Sequence, residues 1–178
     1  MENPAAKLTL SLLRHGKSSW DDPDLDDHAR SLNARGRAAA DAMGAFMATR
    51  KLIPDLVLCS DAARTRATLQ RVMMHFAKTP PKVSTESGLY LASATTMLAR
   101  VRETAPDVRH VMMVGHNPGM HALALDLVGS GARRDIATLA MKFPTCGLAV
   151  LTFDVDTWMK IRPASGRLVS FTVPRQLD

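Results

Sequence analysis

Three short apolar runs end in the same abrupt way, and helix-like stretches separate them. The first, LTLSLL at 8–13, gives way to Arg14, His15 and Gly16. The second, DLVLCS at 55–60, ends at Ser60 and Asp61. The third, VRHVMMVG at 108–115, exits through His116, Asn117 and Pro118. Between them lie NARGRAAADAMGAFMATRKL (33–52), DAARTRATLQRVMMHFA (61–77) and SATTMLARVRETA (93–105), each long enough for a helix. Strand-length apolar runs suit a sheet buried on both faces, and strands alternating with helices imply parallel pairing. The chain therefore reads as α/β: a three-layer α/β/α sandwich around a mainly parallel central sheet. Its length suits one domain, 1–178.

Finer readings follow from spacing. In the first helix Ala38, Ala42, Ala45, Phe46 and Thr49 fall on one helical face. The second has an acid in its first turn, and Ser93 caps the third. A fourth helix is predicted over 118–129, with Pro118 in its first turn and Gly129 at its stop. PPKVSTE (80–86) ends in a small strand, and the tail from Cys146 holds two or more strands, broken at 154–156 and 163–166. The polar, acidic stretch DDPDLDDHARSLN (21–33) reads as a loop. The methionines of VMMHF and VMMVG sit at core spacing.

Composition narrows the partners. Lys and Arg outnumber Asp and Glu by 23 to 17, a formal charge of +6, which favours anions. The cations are dispersed, with no run of five and no interleaved aromatics, so neither nucleic acid nor membrane is expected as a partner. The N-terminus does not read as a secretory signal, and Cys59 and Cys146 are too few for a disulfide framework. Both thiols are expected reduced, in a cytoplasmic protein. No metal or other cofactor is expected. The acids of DPDLDD lack the glycine and glutamate of a calcium loop, and His116 and His121 are wrongly spaced for a helical metal pair. His28, His75 and His110 have no evident partner and read as structural or surface residues.

In parallel α/β sheets ligands bind beyond the carboxyl ends of the strands. Arg14 and His15 leave one strand there, Ser60 and Arg64 follow a second, and His116 a third. Two arginines and two histidines converging on one edge fit a single task. Phosphoryl transfer needs positioning and positive charge, and an arginine fork binds two phosphate oxygens. A neutral imidazole is a competent nucleophile, and neighbouring cations help keep His15 unprotonated. No glycine-rich loop follows a strand, so side chains are expected to hold the phosphate.

These motifs resemble the histidine phosphatase superfamily, with its phosphoglycerate mutase-like fold, and most closely its SixA-like branch of phosphohistidine phosphatases. LLRHGKSSW, DDHARSLNARG (26–36), SDAARTRAT (60–68) and VGHNPG (114–119) carry the likeness, in order, across most of the chain. The resemblance implies His15 as nucleophile and Arg14, Arg64 and His116 as the rest of the phosphate pocket. It implies Lys17, Ser18 and Arg30 as further substrate contacts. Larger members carry an acidic proton donor after a leucine in mid-chain. Here ESGLYLASA (86–94) has no carboxylate after Leu89, which leaves Glu86 as the possible acid. A missing acid is tolerable when the leaving group departs easily, as imidazole does from phosphohistidine. The resemblance thus implies a metal-independent phosphatase acting on phosphohistidine or other phosphoprotein substrates. Three alternatives stand beside it: a non-catalytic phosphate- or phosphopeptide-binding module, a small-molecule phosphomonoesterase or mutase, and, on net charge alone, a nucleic-acid binder. The mutase reading requires Glu86 or an aspartate of 21–27 to reach the site as proton donor.

Overall fold

The computed structural model describes residues 7–76 and 80–177. Residues 1–6 and residue 77, the expected end of the second helix, lie outside them. Seven strands form one sheet in the order β3-β2-β4-β1-β6-β7-β5. They are β1 (Leu8–Arg14), β2 (Leu56–Ser60), β3 (Lys82–Glu86), β4 (His110–Gly115), β5 (Val128–Gly131), β6 (Leu148–Phe153) and β7 (Gly166–Thr172). Helices α1 (Ala34–Thr49), α2 (Ala63–Met73), α3 (Ala94–Arg102), α4 (Gly119–Leu127) and α5 (Arg133–Met141) cover its faces. Pairing is parallel through β3, β2, β4 and β1, whereas β6 runs antiparallel to both β1 and β7. The three-layer α/β sandwich expected from the strand–helix alternation is the fold.

Period-two alternation builds two cores from the same strands. Leu8, Leu10 and Leu12 of β1, Leu58 of β2, Val111 and Met113 of β4 and Leu151 of β6 face the layer of α3, α4 and α5. Leu13, Val57, Cys59, Met112, Val114 and Val150 face α1 and α2 on the other side. Both cysteines are buried and unpaired, and burial pushes each thiol up to about 12, so they pack as small apolar groups. Among the described residues no helix is long and apolar enough to cross a membrane.

Several expectations need correction. The buried face of α1 is Gly36, Ala40, Met43, Gly44 and Met47, while Ala38 and Ala45 are exposed. An alanine-rich helix gives little preference for either face. Here the faces are decided by close approach, since a Cβ on Gly44 would lie 2.8 Å from the Val72 backbone of α2. Asp61 precedes α2 rather than standing in its first turn. In VMMHF, Val72 is buried but Met74 is exposed. Gly129 does not stop the chain in a loop, because α4 passes directly into β5, and α5 follows. Ser93 does cap α3, accepting from Thr96 N at 3.1 Å.

One contact ties α1 to the residues after β1. Asn33 caps the helix through Gly36 N at 2.8 Å, and its own N–H donates to the Lys17 carbonyl at 2.9 Å. Ser18 and Leu32 form a β-bridge, and Ser19 N donates to Ser31 O at 2.8 Å. The first turn of α1 thus presses on the 14–18 segment. A Cβ on Gly36 would stand 2.2 Å from the Lys17 carbonyl oxygen. Gly36→Ala is expected to cost about 1–3 kcal/mol of stability by overpacking. Urea denaturation measures this. An unchanged midpoint would show that the 14–18 segment yields freely.

Candidate active site

The carboxyl ends of β1, β2 and β4 bring His15, Ser60 and His116 to one edge of the sheet, and the first turn of α2 adds Arg64. The rings of His15 and His116 lie 5.2 Å apart by centroid. Arg64 Nε points at His15 Nε2 over 3.4 Å. His15, Arg64 and His116 are all buried. The convergence expected from three strand exits is what the chain builds.

Backbone contacts fix the setting of His15. His15 N donates to the Gly115 carbonyl at 3.1 Å, and Cys146 N donates to the His15 carbonyl at 2.9 Å. Gly16 N donates to Thr68 Oγ1 at 2.9 Å, and that hydroxyl donates to the Arg64 carbonyl at 2.7 Å. Thr68 therefore locks the loop after β1 to α2. The His15 ring is oriented by Nδ1, which lies 2.7 Å from the Gly16 carbonyl. A carbonyl only accepts, so Nδ1 carries the hydrogen and Nε2 keeps its lone pair. Burial lowers the imidazole pKa to about 4. Arg64 and Arg14 push the same way, against the Gly16 carbonyl and Asp27. His116 falls to about 3, through burial first and then through His15 and Arg64. Both rings are neutral near pH 7.

Two buried nitrogens here have no protein partner. Arg14 Nη1 donates to the Phe143 carbonyl at 2.9 Å, but its Nε is buried with no partner. Burial, then Arg64, lowers the Arg14 pKa. His116 Nε2 lies 2.7 Å from Ser60 Oγ, while Nδ1 is buried and unpartnered. If the Ser60 hydroxyl donates to Nε2, Nδ1 holds the hydrogen and becomes a donor. Asn117 shares the Phe143 carbonyl through Nδ2 at 3.0 Å. Buried groups of this kind are normally satisfied. A tetrahedral oxyanion between Arg14, Arg64 and His116 would satisfy them.

The remaining residues singled out in the sequence lie around this group. Arg30 is buried with Nε and Nη1 unpartnered, and its guanidinium stacks 3.9 Å over the exposed Trp20 ring. It borders Asp27 rather than touching His15. Ser18 is engaged in the bridge to Leu32. Lys17 lines a separate cavity of about 320 Å³ with Arg35, Thr145 and Arg175. Glu86 is committed elsewhere. Arg100 grips its carboxylate at 2.8–3.0 Å, Ser84 Oγ donates at 2.7 Å, and these bonds hold its pKa low against the upward pull of burial. It makes no hydrogen bond to the His15 cluster, and an ionised, doubly held carboxylate is a poor acid.

The carboxylate that does reach the cluster is Asp27, in a short 3-10 turn (Asp27–Ala29) of the acidic loop. Its carbonyl accepts from Arg64 Nη1 at 2.7 Å, and its Oδ2 accepts from Arg64 Nη2 at 3.0 Å and from the Tyr90 hydroxyl at 2.5 Å. The Tyr90 bond, then Arg64, holds its pKa down. Tyr90 was not legible as a site residue, since an aromatic after a small strand carries no chemical signal. His28 also has partners, Asp61 at 2.8 Å and the edge of Tyr90. His110 bonds Ser11 at 2.8 Å, and His75 lies 3.7 Å from Asp41. Each of these three histidines thus has a partner that the sequence does not reveal.

Comparisons with known proteins point to one family. The sequence profile of the histidine phosphatase superfamily (branch 1) matches residues 10–90. An uncharacterised protein of Mycobacterium leprae is 37% identical over 167 residues, which are 92% of this chain and all of that one. The structure of a protein assigned as the phosphohistidine phosphatase SixA of Agrobacterium tumefaciens is 34% identical, with a TM-score of 0.79 over 94% of this chain and 98% of that one. A similarly assigned structure from Nakamurella multipartitia is 28% identical, with a TM-score of 0.79 over 96% and 98%. With its two histidines and two arginines on the strand exits of that fold, the chain belongs to the histidine phosphatase superfamily, as a phosphatase of the SixA-like branch.

Proposed function

We propose that the protein hydrolyses phosphohistidine in a protein substrate, through a phospho-His15 intermediate and without a metal ion. The observation that carries this reading is the pair of buried nitrogens without partners, Arg14 Nε and His116 Nδ1, beside His15 Nε2. In the first step Nε2 attacks phosphorus in line. The bond from phosphorus to the substrate's ring nitrogen breaks, and that nitrogen takes the electron pair. Arg14, Arg64 and His116 hold the equatorial oxygens and match their charge. In the second step water attacks the phosphoryl group, the bond to Nε2 breaks, and inorganic phosphate leaves with His15 restored.

Substrate choice rests on the leaving group. An alkyl phosphate expels an alkoxide that needs a proton, and both candidate carboxylates are held ionised. Asp27 does reach Arg64, which the mutase reading required of an acid from this loop. Its ion pair with Arg64, however, makes it an acceptor rather than a proton donor.

Replacing His15 with alanine is expected to reduce phosphatase turnover at least about 10³-fold while the thermal transition remains cooperative. The same assay on phosphohistidine, phosphoserine and sugar phosphates is expected to favour phosphohistidine. Equal rates on all three would remove the substrate proposal. Chelation with EDTA is expected to leave turnover intact, and a strict metal requirement would contradict the charge assignment to Arg14, Arg64 and His116. Attack needs neutral His15, and a base with a depressed pKa loses its lone pair only as pH falls through the lowered value. An NMR titration is therefore expected to place the His15 ring midpoint near 4. A midpoint at the ordinary imidazole value of about 6.5 would overturn the argument from burial.

A further inference from the structure

Asp27 does more than steady Arg64. Its Oδ2 is fully used by Arg64 and Tyr90, but Oδ1 accepts no hydrogen bond among the described residues, and the side chain is half exposed. A run of rings leads to it from the nucleophile. His15 and His116 are 5.2 Å apart, His116 and Tyr90 5.4 Å, and Tyr90 and His28 4.8 Å, the last two pairs edge to face. The run begins at a buried ring and ends at exposed His28. In-line displacement puts the leaving group on the side of phosphorus away from His15 Nε2. Asp27 and His28 are exposed and Tyr90 is partly so, and this solvent side of the cluster is the one open to a leaving group.

We propose that Asp27 Oδ1, with the rings of Tyr90 and His28, forms a leaving-group subsite for a protonated imidazole. This deepens the phosphohistidine reading and rests on it. An N-phosphorylated imidazole protonated on its other nitrogen is a planar cation. The free N–H donates to Oδ1, and the ring packs against Tyr90. When the phosphorus–nitrogen bond breaks, its electron pair returns to the ring nitrogen, and a neutral imidazole departs with the proton it already carried. Nothing has to be protonated by the enzyme. A carboxylate fixed as an anion favours the protonated ring and so favours departure. The same anion offers an alkoxide nothing. Asp27 is thus a specificity-determining residue, selecting phosphorus–nitrogen over alkyl phosphorus–oxygen bonds.

The test compares kcat/KM on a phosphohistidine peptide and on p-nitrophenyl phosphate, whose leaving group needs no such contact. Whatever Asp27→Asn costs through Arg64 falls on both substrates and cancels in the ratio. The peptide-to-aryl ratio is expected to fall about tenfold to a hundredfold, the value of a hydrogen bond to a charged group. Asp27→Glu keeps the charge and is expected to recover part of that ratio. Tyr90→Phe, which loosens the carboxylate without removing it, is expected to lower the ratio less. It serves as the second probe if Asp27→Asn does not fold. An unchanged ratio in these variants overturns the subsite while wild-type turnover of phosphohistidine leaves the function standing. A wild-type enzyme that cleaves the aryl phosphate but not the peptide overturns both.

Discussion

Two guanidinium groups and two imidazoles share one buried space at the carboxyl edge of the sheet, and like charges do not gather there unaided. Three things make it possible. Both imidazoles are held neutral, mainly by burial. Each arginine spends part of its fork on a main-chain carbonyl, Phe143 for Arg14 and Asp27 for Arg64. One carboxylate, Asp27, supplies a counter-charge on the outer side of Arg64. What remains is a pair of buried nitrogens without partners, Arg14 Nε and His116 Nδ1, which the proposed mechanism assigns to an oxyanion.

The surrounding fold holds these groups still. Main-chain bonds from His15 to Gly115 and from Cys146 to His15 fix the end of β1 between β4 and the turn before β6. Thr68 ties Gly16 to α2, and Asn33 ties Lys17 to α1. The acidic loop leaves this frame at Ser19 and returns at Ser31, so its ends are pinned while Asp27 reaches Arg64. Strand ends carry His15, His116 and Arg14, and a loop carries Asp27, to which the proposed mechanism gives the leaving part of the substrate.

Much of the fold was legible because buried strands announce themselves. LTLSLL, DLVLCS and HVMMVG are dominated by apolar residues, as a sheet covered on both faces requires. What escaped was written more faintly. β5, VGSG, is short and partly exposed at the sheet edge, with no apolar alternation to betray it. α5 opens with Arg133, Arg134 and Asp135 and buries only Leu139. The antiparallel direction of β6 in mid-sheet leaves no mark in LAVLTF, because a strand buried on both faces has the same composition in either direction.

By itself the sequence determined which chemistry was available: His15, Arg14, Arg64 and His116 at the ends of strands whose parallel pairing brings those ends together. That much follows from local pattern plus one topological rule. The identity of the carboxylate beside them was decided only in three dimensions. Glu86 and Asp27 were both in reach by sequence, but Arg100, fourteen residues on, captures Glu86, whereas Tyr90, sixty-three residues from Asp27, helps hold that loop against Arg64. Such pairings depend on where helices and loops come to rest, and a side chain's partner across that distance is set by packing rather than by its neighbours in the chain.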